Sequence, residues 1–301
     1  MNFVSCDWGT SNFRLRLVGG PVAAEVRTDD GAAKLAAAGG DRAAAFREVL
    51  VRGLVQLGAA ENLPVVISGM ASSTIGWREL PYAHLPFALD GSDAVWERLE
   101  GRMYLVSGLR GETDMARGEE TQAIGLAAAL GSELPSRVMV VLPGTHSKHL
   151  TVEAGTITSL RTFMTGELFD LLSRQSVLRH SVDPAAPVDA AAFIEGVQEL
   201  DRASLTGALF RVRTRQVLDR QPAHANASFL SGLLIGAELA ALRNRELPVI
   251  VAAGGTVRDA YTLAGDALGF GNQLRALDAE PLSAAGQAVI LRQIAAKESG
   301  Q

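Results

Sequence analysis

A chain of 301 residues with 48% hydrophobic and 20% charged residues is globular, and long enough for two domains of about 150 residues each. Its net charge of −5, with Lys and Arg scattered, excludes a nucleic-acid surface, which needs clustered positive charge. A single cysteine, Cys6, excludes an internal disulfide framework, and five histidines offer no zinc-cluster spacing, so a reducing, cytoplasmic setting is expected.

Phe3-Val4 leads into Cys6-Asp7-Trp8-Gly9-Thr10-Ser11-Asn12-Phe13-Arg14, and alternation resumes in Leu15-Arg16-Leu17-Val18, which predicts two short strands joined by a tight turn. The chain enters this strand with no preceding basic region and apolar core, so no signal peptide is expected. The turn suits phosphate. Its glycine lets a ligand approach, consecutive N–H groups and hydroxyls can surround phosphate oxygens, and Asp7 just upstream can hold a hydrated divalent cation. The same residues also fit an ordinary hairpin in which Asp7 and Thr10 only satisfy the turn.

Val22 to Thr28 predicts a third strand, and Asp41 an N-cap for a helix with Phe46, Val49, Leu50, Leu54 and Leu57 on one face. Pro64 to Ser68 is a short apolar run of the buried parallel type, so strand, helix and strand imply an α/β protein. The loop from Gly69 to Tyr82 is rich in glycine and hydroxyls, carries Trp77-Arg78, and leaves the carboxyl end of that strand, where α/β proteins place ligands. Ser92 is expected to cap a short helix through Leu99, and Met103 to Val106 to form another strand. Arg117-Gly118-Glu119-Glu120-Thr121-Gln122 opens an alanine-rich helix to about Leu130; its paired carboxylates suit either the helix dipole or catalysis.

The second half repeats the first. Val138 to Leu142 is an apolar strand, Pro143-Gly144-Thr145-His146-Ser147 a Gly-Thr turn, and alternation returns in Leu150-Thr151-Val152, as expected for a degenerate internal duplication. A strand from Ile157 to Phe163 leads into Met164-Thr165-Gly166-Glu167, with Thr165 as the expected helix cap. Helices are expected near 190–201 and 204–212. Ser228 is taken to start a helix in which Gly232 and Gly236 admit another backbone. That apolar helix, around Phe229 to Leu242, carries Glu238 and is expected to be too short to span a bilayer. Pro248 to Thr256 is a buried strand ending in Gly254-Gly255, with Thr256 as expected N-cap, and a last helix runs from about Ser283 to Lys297.

No G-x-x-x-x-G-K-[ST] and no helix-opening G-x-G-x-x-G occurs. The ordered series is instead an Asp-x-Gly-Thr hairpin, an acidic helix start, a second Gly-Thr hairpin and strand-Gly-Gly-helix, which resembles the actin, hexokinase and Hsp70 ATPase superfamily. More narrowly, Asp7 to Arg14, Ser68-Gly69-Met70 with Gly76-Trp77-Arg78, Arg117 to Gln122, Pro143 to Lys148, Met164 to Leu168 and Phe229 to Glu238 resemble the 2-dehydro-3-deoxygalactonokinase family over essentially the whole chain.

The resemblance implies an α/β protein of two duplicated ribonuclease H-like lobes, the actin-like ATPase or sugar kinase fold, with an interlobe active-site cleft. The lobes are expected over 1–131 and 132–301, the last helix packing back across the hinge. It implies a cytoplasmic carbohydrate-metabolism transferase that uses ATP and magnesium to phosphorylate the terminal C6 hydroxyl of 2-dehydro-3-deoxy-D-galactonate in galactonate catabolism, with no nucleic-acid or membrane partner and a homo-oligomer allowed. Alternatives are a kinase of the same fold acting on another sugar acid or polyol, and a non-catalytic sugar or nucleotide sensor.

By the same resemblance Asp7 orders Mg²⁺, Gly9, Thr10 and Ser11 contact the β/γ-phosphates, Gly144 and Thr145 grip from the other lobe, and Gly254 and Gly255 line the adenine pocket. Related kinases carry a catalytic aspartate where this chain has Glu119 and Glu120. Glu120 is the better local match for the base, and Glu167 is a further candidate. For the substrate carboxylate Arg78, beside Trp77, comes first, followed by Arg14, Arg117 and Arg161, with His146 and Lys148 beside the second phosphate turn.

Overall fold

The computed structural model describes residues 2–19, 24–242 and 246–299, in two compact units. The first comprises Met1–Ser136, Leu150–Arg161 and Ala279–Gln301, the second Arg137–His149 and Thr162–Asp278.

In the first unit Phe3–Trp8 and Phe13–Val18 form the expected antiparallel hairpin, extended by Glu25–Thr28. On the other side of Phe3–Trp8, the strands Val65–Gly69 and Met103–Val106 run parallel to it. The run at 65–68 is continuously apolar or small because all of Val65–Gly69 is buried, as in parallel sheets covered on both faces. The predicted strand from Val22 is observed from Glu25; its first two residues lie outside the described ones.

Asp41 caps the helix Arg42–Leu57 by accepting a hydrogen bond from the Ala44 N–H at 3.1 Å, and Phe46, Val49, Leu50 and Leu57 bury one face of it. The helix expected after Ser92 does not form. Trp96–Arg98 is an edge strand antiparallel to Tyr104–Val106, with Trp96 edge-on to Tyr104 at 5.9 Å, while the Ser92 hydroxyl donates to Asp90 at 2.6 Å and leaves no cap.

Two helices cross tightly in this unit. A Cβ on Gly125 of Glu119–Leu130 would lie 2.0 Å from the Leu282 carbonyl oxygen, and one on Gly286 of Leu282–Ser299 would lie 1.9 Å from that of Thr121. Only glycine allows this approach. The crossing fixes the acidic helix start against the final helix.

The second unit reuses the central arrangement of the first. Arg137–Leu142, Val249–Ala252 and Leu274–Leu277 run parallel side by side, as Phe3–Trp8, Val65–Gly69 and Met103–Val106 do. In chain order each half opens with three strands, 137–142, 147–153 and 156–163 answering 3–8, 13–18 and 25–28. The internal duplication is thus visible in the parallel trio of each unit.

The core helix of this unit, Ala223–Leu239, starts five residues before Ser228, whose hydroxyl donates to the His224 carbonyl within the helix. Its Gly232 meets Ala190–Glu199, where a Cβ would lie 2.1 Å from the Phe193 carbonyl oxygen. The expectation that this helix is too short to span a bilayer does not hold: Ala223–Leu242 is long and apolar enough by length and composition because it starts at Ala223, but 78% of its apolar window is buried within the fold, which explains the composition. The region expected to hold a helix at 204–212 holds two short ones, Leu205–Leu209 and Arg211–Val217.

Candidate active site

The first unit gathers most of the acidic and basic candidates. Asp7 sits at the carboxyl end of its strand, half-buried, directly across from Arg14, which in turn faces Arg27. Cross-strand partners share one face of a sheet, so the carboxylate and two guanidinium groups form a row. Burial raises the Asp7 pKa above the usual carboxylate value, with Arg14, Ser283, Arg16 and Arg27 opposing it in part. Ser283 Oγ donates a long hydrogen bond to it, 3.5 Å, which leaves acceptor capacity for a ligand.

The turn that follows is braced from behind. The N–H groups of Ala32 and Ala33, opening the helix Ala32–Ala37, donate to the carbonyls of Gly9 and Thr10 at 3.0 Å, while Thr10 and Ser11 stay exposed. Trp8 between them is fully buried against Phe13, Phe46 and Trp77 at ring distances of 4.5, 4.6 and 6.4 Å.

That cluster corrects the reading of Trp77. Its indole is 7% exposed and packs on Trp8 and Phe46, so it anchors the loop and presents no face to a substrate. Arg78 is turned outward and ion-paired with Glu97 on the edge strand.

Arg117 is better placed. It is half-buried immediately before the acidic helix, stacks over Tyr82 at 4.1 Å, and donates from Nη1 to the Ser72 hydroxyl at 2.7 Å and to the Ser72 carbonyl. These contacts leave Nη2 and Nε of a rigid fork available. Arg161 is exposed on the strand Thr156–Phe163.

Glu119 and Glu120 have separate roles. Glu119 folds back to accept the Arg117 backbone N–H at 2.8 Å, a capping contact. Glu120 is 2% exposed, accepts the Gly118 N–H at 2.8 Å and the Thr121 hydroxyl at 2.9 Å, and has its pKa pushed up to about 7. Burial is the main cause and the Glu119 charge the second, with the N–H donors and Thr121 opposing. A carboxyl with a pKa near 7 is suited to taking a proton from an alcohol as that alcohol reacts.

In the second unit a cavity of about 310 Å³ is lined by Gly144, Thr165, Gly166, Phe169, Gly254 and Tyr261, together with apolar side chains from the core helix. The Gly-Thr turn closes on the next helix start. The Glu167 N–H donates to the Thr145 carbonyl at 3.0 Å, and a Cβ on Gly166 would lie 2.5 Å from the Gly144 carbonyl oxygen.

Thr165 is the first residue of its helix and not the cap expected for it, because its hydroxyl is engaged by Glu238. Glu167 pairs with His146 at 2.5 Å on the exposed rim, which ties up the alternative base. Lys148 is 6% exposed on the strand Ser147–Glu153. Gly254 lines the cavity and precedes the helix Gly255–Ala267, at whose start Gly255 takes a positive φ of 43°. Thr256 lies inside the first turn and is not its cap.

Several participants carry no sequence signature. Ser283 and Gln287 come from the final helix, Gln287 donating to the Cys6 carbonyl and the Ser68 hydroxyl at 2.8 Å each. Tyr82 and Ser72 hold Arg117. Glu238 had one available signal, a carboxylate inside an apolar helix.

The model of the 2-keto-3-deoxy-galactonokinase family matches residues 7–290. The chain belongs to this family. It is 33% identical over 276 residues to the 2-dehydro-3-deoxygalactonokinase of Escherichia coli (strain K12), covering 89% of this chain and 90% of the relative. It is 37% identical over 251 residues, 79% of each chain, to DgoK1 of Rhizobium meliloti (strain 1021), which is assigned the same activity.

A crystal structure from Sinorhizobium meliloti, assigned as a 2-dehydro-3-deoxygalactonokinase, superposes with a TM-score of 0.85 at 33% identity over 97% of this chain and 99% of its own. The ADPNP-bound activator of the 2-hydroxyisocaproyl-CoA dehydratase from Clostridium difficile, 12% identical with a TM-score of 0.53, covers 100% of this chain and 97% of its own and shares the fold alone. The 2-keto-3-deoxy-galactonokinase family member described here is therefore a sugar kinase of galactonate catabolism, with the two-lobed actin-like ATPase fold and ATP as the expected phosphoryl donor.

Proposed function

We propose that the protein transfers the γ-phosphoryl group of ATP to the C6 hydroxyl of 2-dehydro-3-deoxy-D-galactonate, with Glu120 as the general base. The observation that carries this reading is the buried Glu120 carboxyl, with its pKa raised to about 7, at the start of a helix led in by Arg117. Arg117 offers a pre-oriented guanidinium to the substrate carboxylate, and charge-assisted, two-pronged hydrogen bonds are the strong kind. As the C6 oxygen attacks the γ-phosphorus and the bond to the ADP oxygen breaks, the hydroxyl proton passes to Glu120.

The nucleotide is assigned to the cavity of the second unit. Gly254 and the apolar wall of Leu234, Ile235 and Ala253 suit a flat base, and Gly144 of the second Gly-Thr turn, which also lines the cavity, suits the phosphates, with Thr145 next to it in the chain. In the first unit, Gly9, Thr10, Ser11 and Arg14 offer a separate set of backbone donors, hydroxyls and positive charge of the kind that suits phosphate oxygens.

Asp7 fits a magnesium ion. It is a half-buried, weakly hydrogen-bonded carboxylate beside the exposed Thr10-Ser11 turn, and magnesium in kinase sites is held by one or two carboxylates together with waters and substrate phosphates. When bound, the ion neutralises phosphate charge. The free buried Cys6 thiol is compatible with the cytoplasm.

The test is ADP release from Mg-ATP across a panel of 2-keto-3-deoxy sugar acids. Turnover highest on the galactonate derivative is expected. ADP release indifferent to every sugar acid contradicts the proposal, and preference for a different sugar acid reassigns the substrate.

A further inference from the structure

Glu238 lies 2% exposed in the core helix of the second unit and accepts four hydrogen bonds. Ser147 Oγ at 2.6 Å and His149 Nε2 at 2.9 Å reach one carboxylate oxygen, Oε1. Thr165 Oγ1 and Tyr261 Oη, the latter at 2.7 Å, reach the other. Ser147 and His149 are two apart on one strand and share a face, directly after the Gly144-Thr145 turn. Thr165 opens the helix that closes on that turn, and Tyr261 stands on the helix that Gly254 caps. Both Thr165 and Tyr261 line the cavity.

A buried carboxylate is costly unless its lone pairs are satisfied, and four donors satisfy it. Despite burial, the His149 hydrogen bond and charge, with the Ser147 and Thr165 hydroxyls, hold the group below its ordinary pKa, so it is an anion that all four donors can share. No step of phosphoryl transfer uses Glu238.

We propose that Glu238 is a positioning residue for the nucleotide. Its carboxylate locks the strand after the second phosphate turn, the start of the helix at Thr165 and the wall at Tyr261 into one arrangement, so that the cavity is preorganised for the adenosine and phosphates of ATP. The inference rests on the reading of this cavity as the nucleotide site. An amide in place of the carboxylate keeps the shape but removes the charge and presents an NH₂ on one side, so either Ser147 and His149 or Thr165 and Tyr261 must turn from donating to accepting.

The experiment is calorimetric titration of Mg-ADP into Glu238→Gln, Tyr261→Phe and Val257→Trp, with sugar-acid KM measured in parallel and folding checked by circular dichroism. Val257 is a half-exposed wall residue, so its Trp variant blocks the cavity directly. The expected result is that Glu238→Gln weakens ADP at least tenfold and Tyr261→Phe at least threefold, with sugar-acid KM within twofold. Folded Glu238→Gln binding ADP within twofold of wild type, while Val257→Trp abolishes binding, overturns the positioning role and leaves the nucleotide site standing. Equal weakening of ADP and sugar acid also overturns it. If Val257→Trp binds ADP like wild type, the cavity is not the nucleotide site and the inference falls with that assignment. If Glu238→Gln does not fold, Tyr261→Phe decides by the same limits.

Discussion

Glu120 carries two opposed effects in one side chain. Its pKa of about 7 lies above the 4.5 of an ordinary glutamate, so between those values the native state holds a proton that the unfolded chain has released. Stability from this group therefore falls as pH rises from about 4.5 to about 7 and stays low above it, by about 3 kcal/mol at full ionisation. In its proposed role as base, by contrast, Glu120 works only when ionised. Glu120→Gln, which cannot ionise, is expected to lower kcat by about 10²- to 10⁴-fold while raising the urea midpoint at pH 8 relative to wild type. Wild-type kcat should fall below about pH 7. An unchanged kcat in the variant removes Glu120 from proton transfer, and an unchanged midpoint at pH 8 removes the cost of burying its charge.

The arginines divide by what already holds them. Arg78 is 51% exposed and paired with Glu97, so Arg78→Ala should leave sugar-acid KM within about twofold, since exposed pairs contribute little. Arg117→Ala removes a half-buried, pre-oriented guanidinium, and a loss of roughly tenfold or more in sugar-acid affinity is expected. Steady-state kinetics on both variants decides the assignment, and the reverse ranking returns the carboxylate to Arg78.

These residues also show where the sequence is legible. Asp7, the Gly-Thr turns and Glu120 stand in short local patterns that predict a hairpin or a helix start, and those elements form where expected. Trp77 and Arg78 share a glycine-rich loop that suggests ligand contact, but burial is a tertiary property, and Trp77 turned inward onto Trp8 and Phe46. Glu238 was readable as a charge inside an apolar helix, whereas its four donors come from 23 to 91 residues away, beyond any local pattern.

At the scale of elements, the acidic helix is held by backbone contact with the final helix. Gly125 and Gly286 leave no room for a methyl group, so Gly286→Ala should cost about 1–3 kcal/mol through overpacking and shift Glu120 with its helix. A lowered melting temperature together with a lowered kcat is expected. Full activity in a destabilised variant would show that the crossing supports the fold without setting the base.

Elements also account for the misread caps. Ser92, Thr165, Ser228 and Thr256 are residue types that favour helix starts, but Ser92, Thr165 and Ser228 have hydroxyls engaged by Asp90, Glu238 and the His224 carbonyl. Thr256 stands one residue inside its helix instead. Asp41, with an acceptor-only carboxylate, caps where expected, and Asp189 caps the helix Ala190–Glu199 by accepting the Ala192 N–H at 3.0 Å.

For the whole molecule, duplication explains the division of labour. Each half carries a parallel trio of strands with a Gly-Thr turn after the first, so one strand-turn-strand design occurs twice. The first copy carries Asp7, Arg117 and Glu120, to which the proposed acid-base and carboxylate-binding roles belong; the second carries a cavity and the Glu238 network. The repeat was visible in the sequence because its turns recur, while the return of Ala279–Gln301 to the first unit depends on packing and carries no composition signal.

The most direct measurement is phosphorus NMR of the product formed from Mg-ATP and 2-dehydro-3-deoxy-D-galactonate. The predicted result is ADP with an equal amount of a phosphomonoester coupled to the two C6 protons, formed by the wild-type protein and lost in Glu120→Gln. ADP accompanied by inorganic phosphate alone, or phosphate on any other carbon, would contradict it.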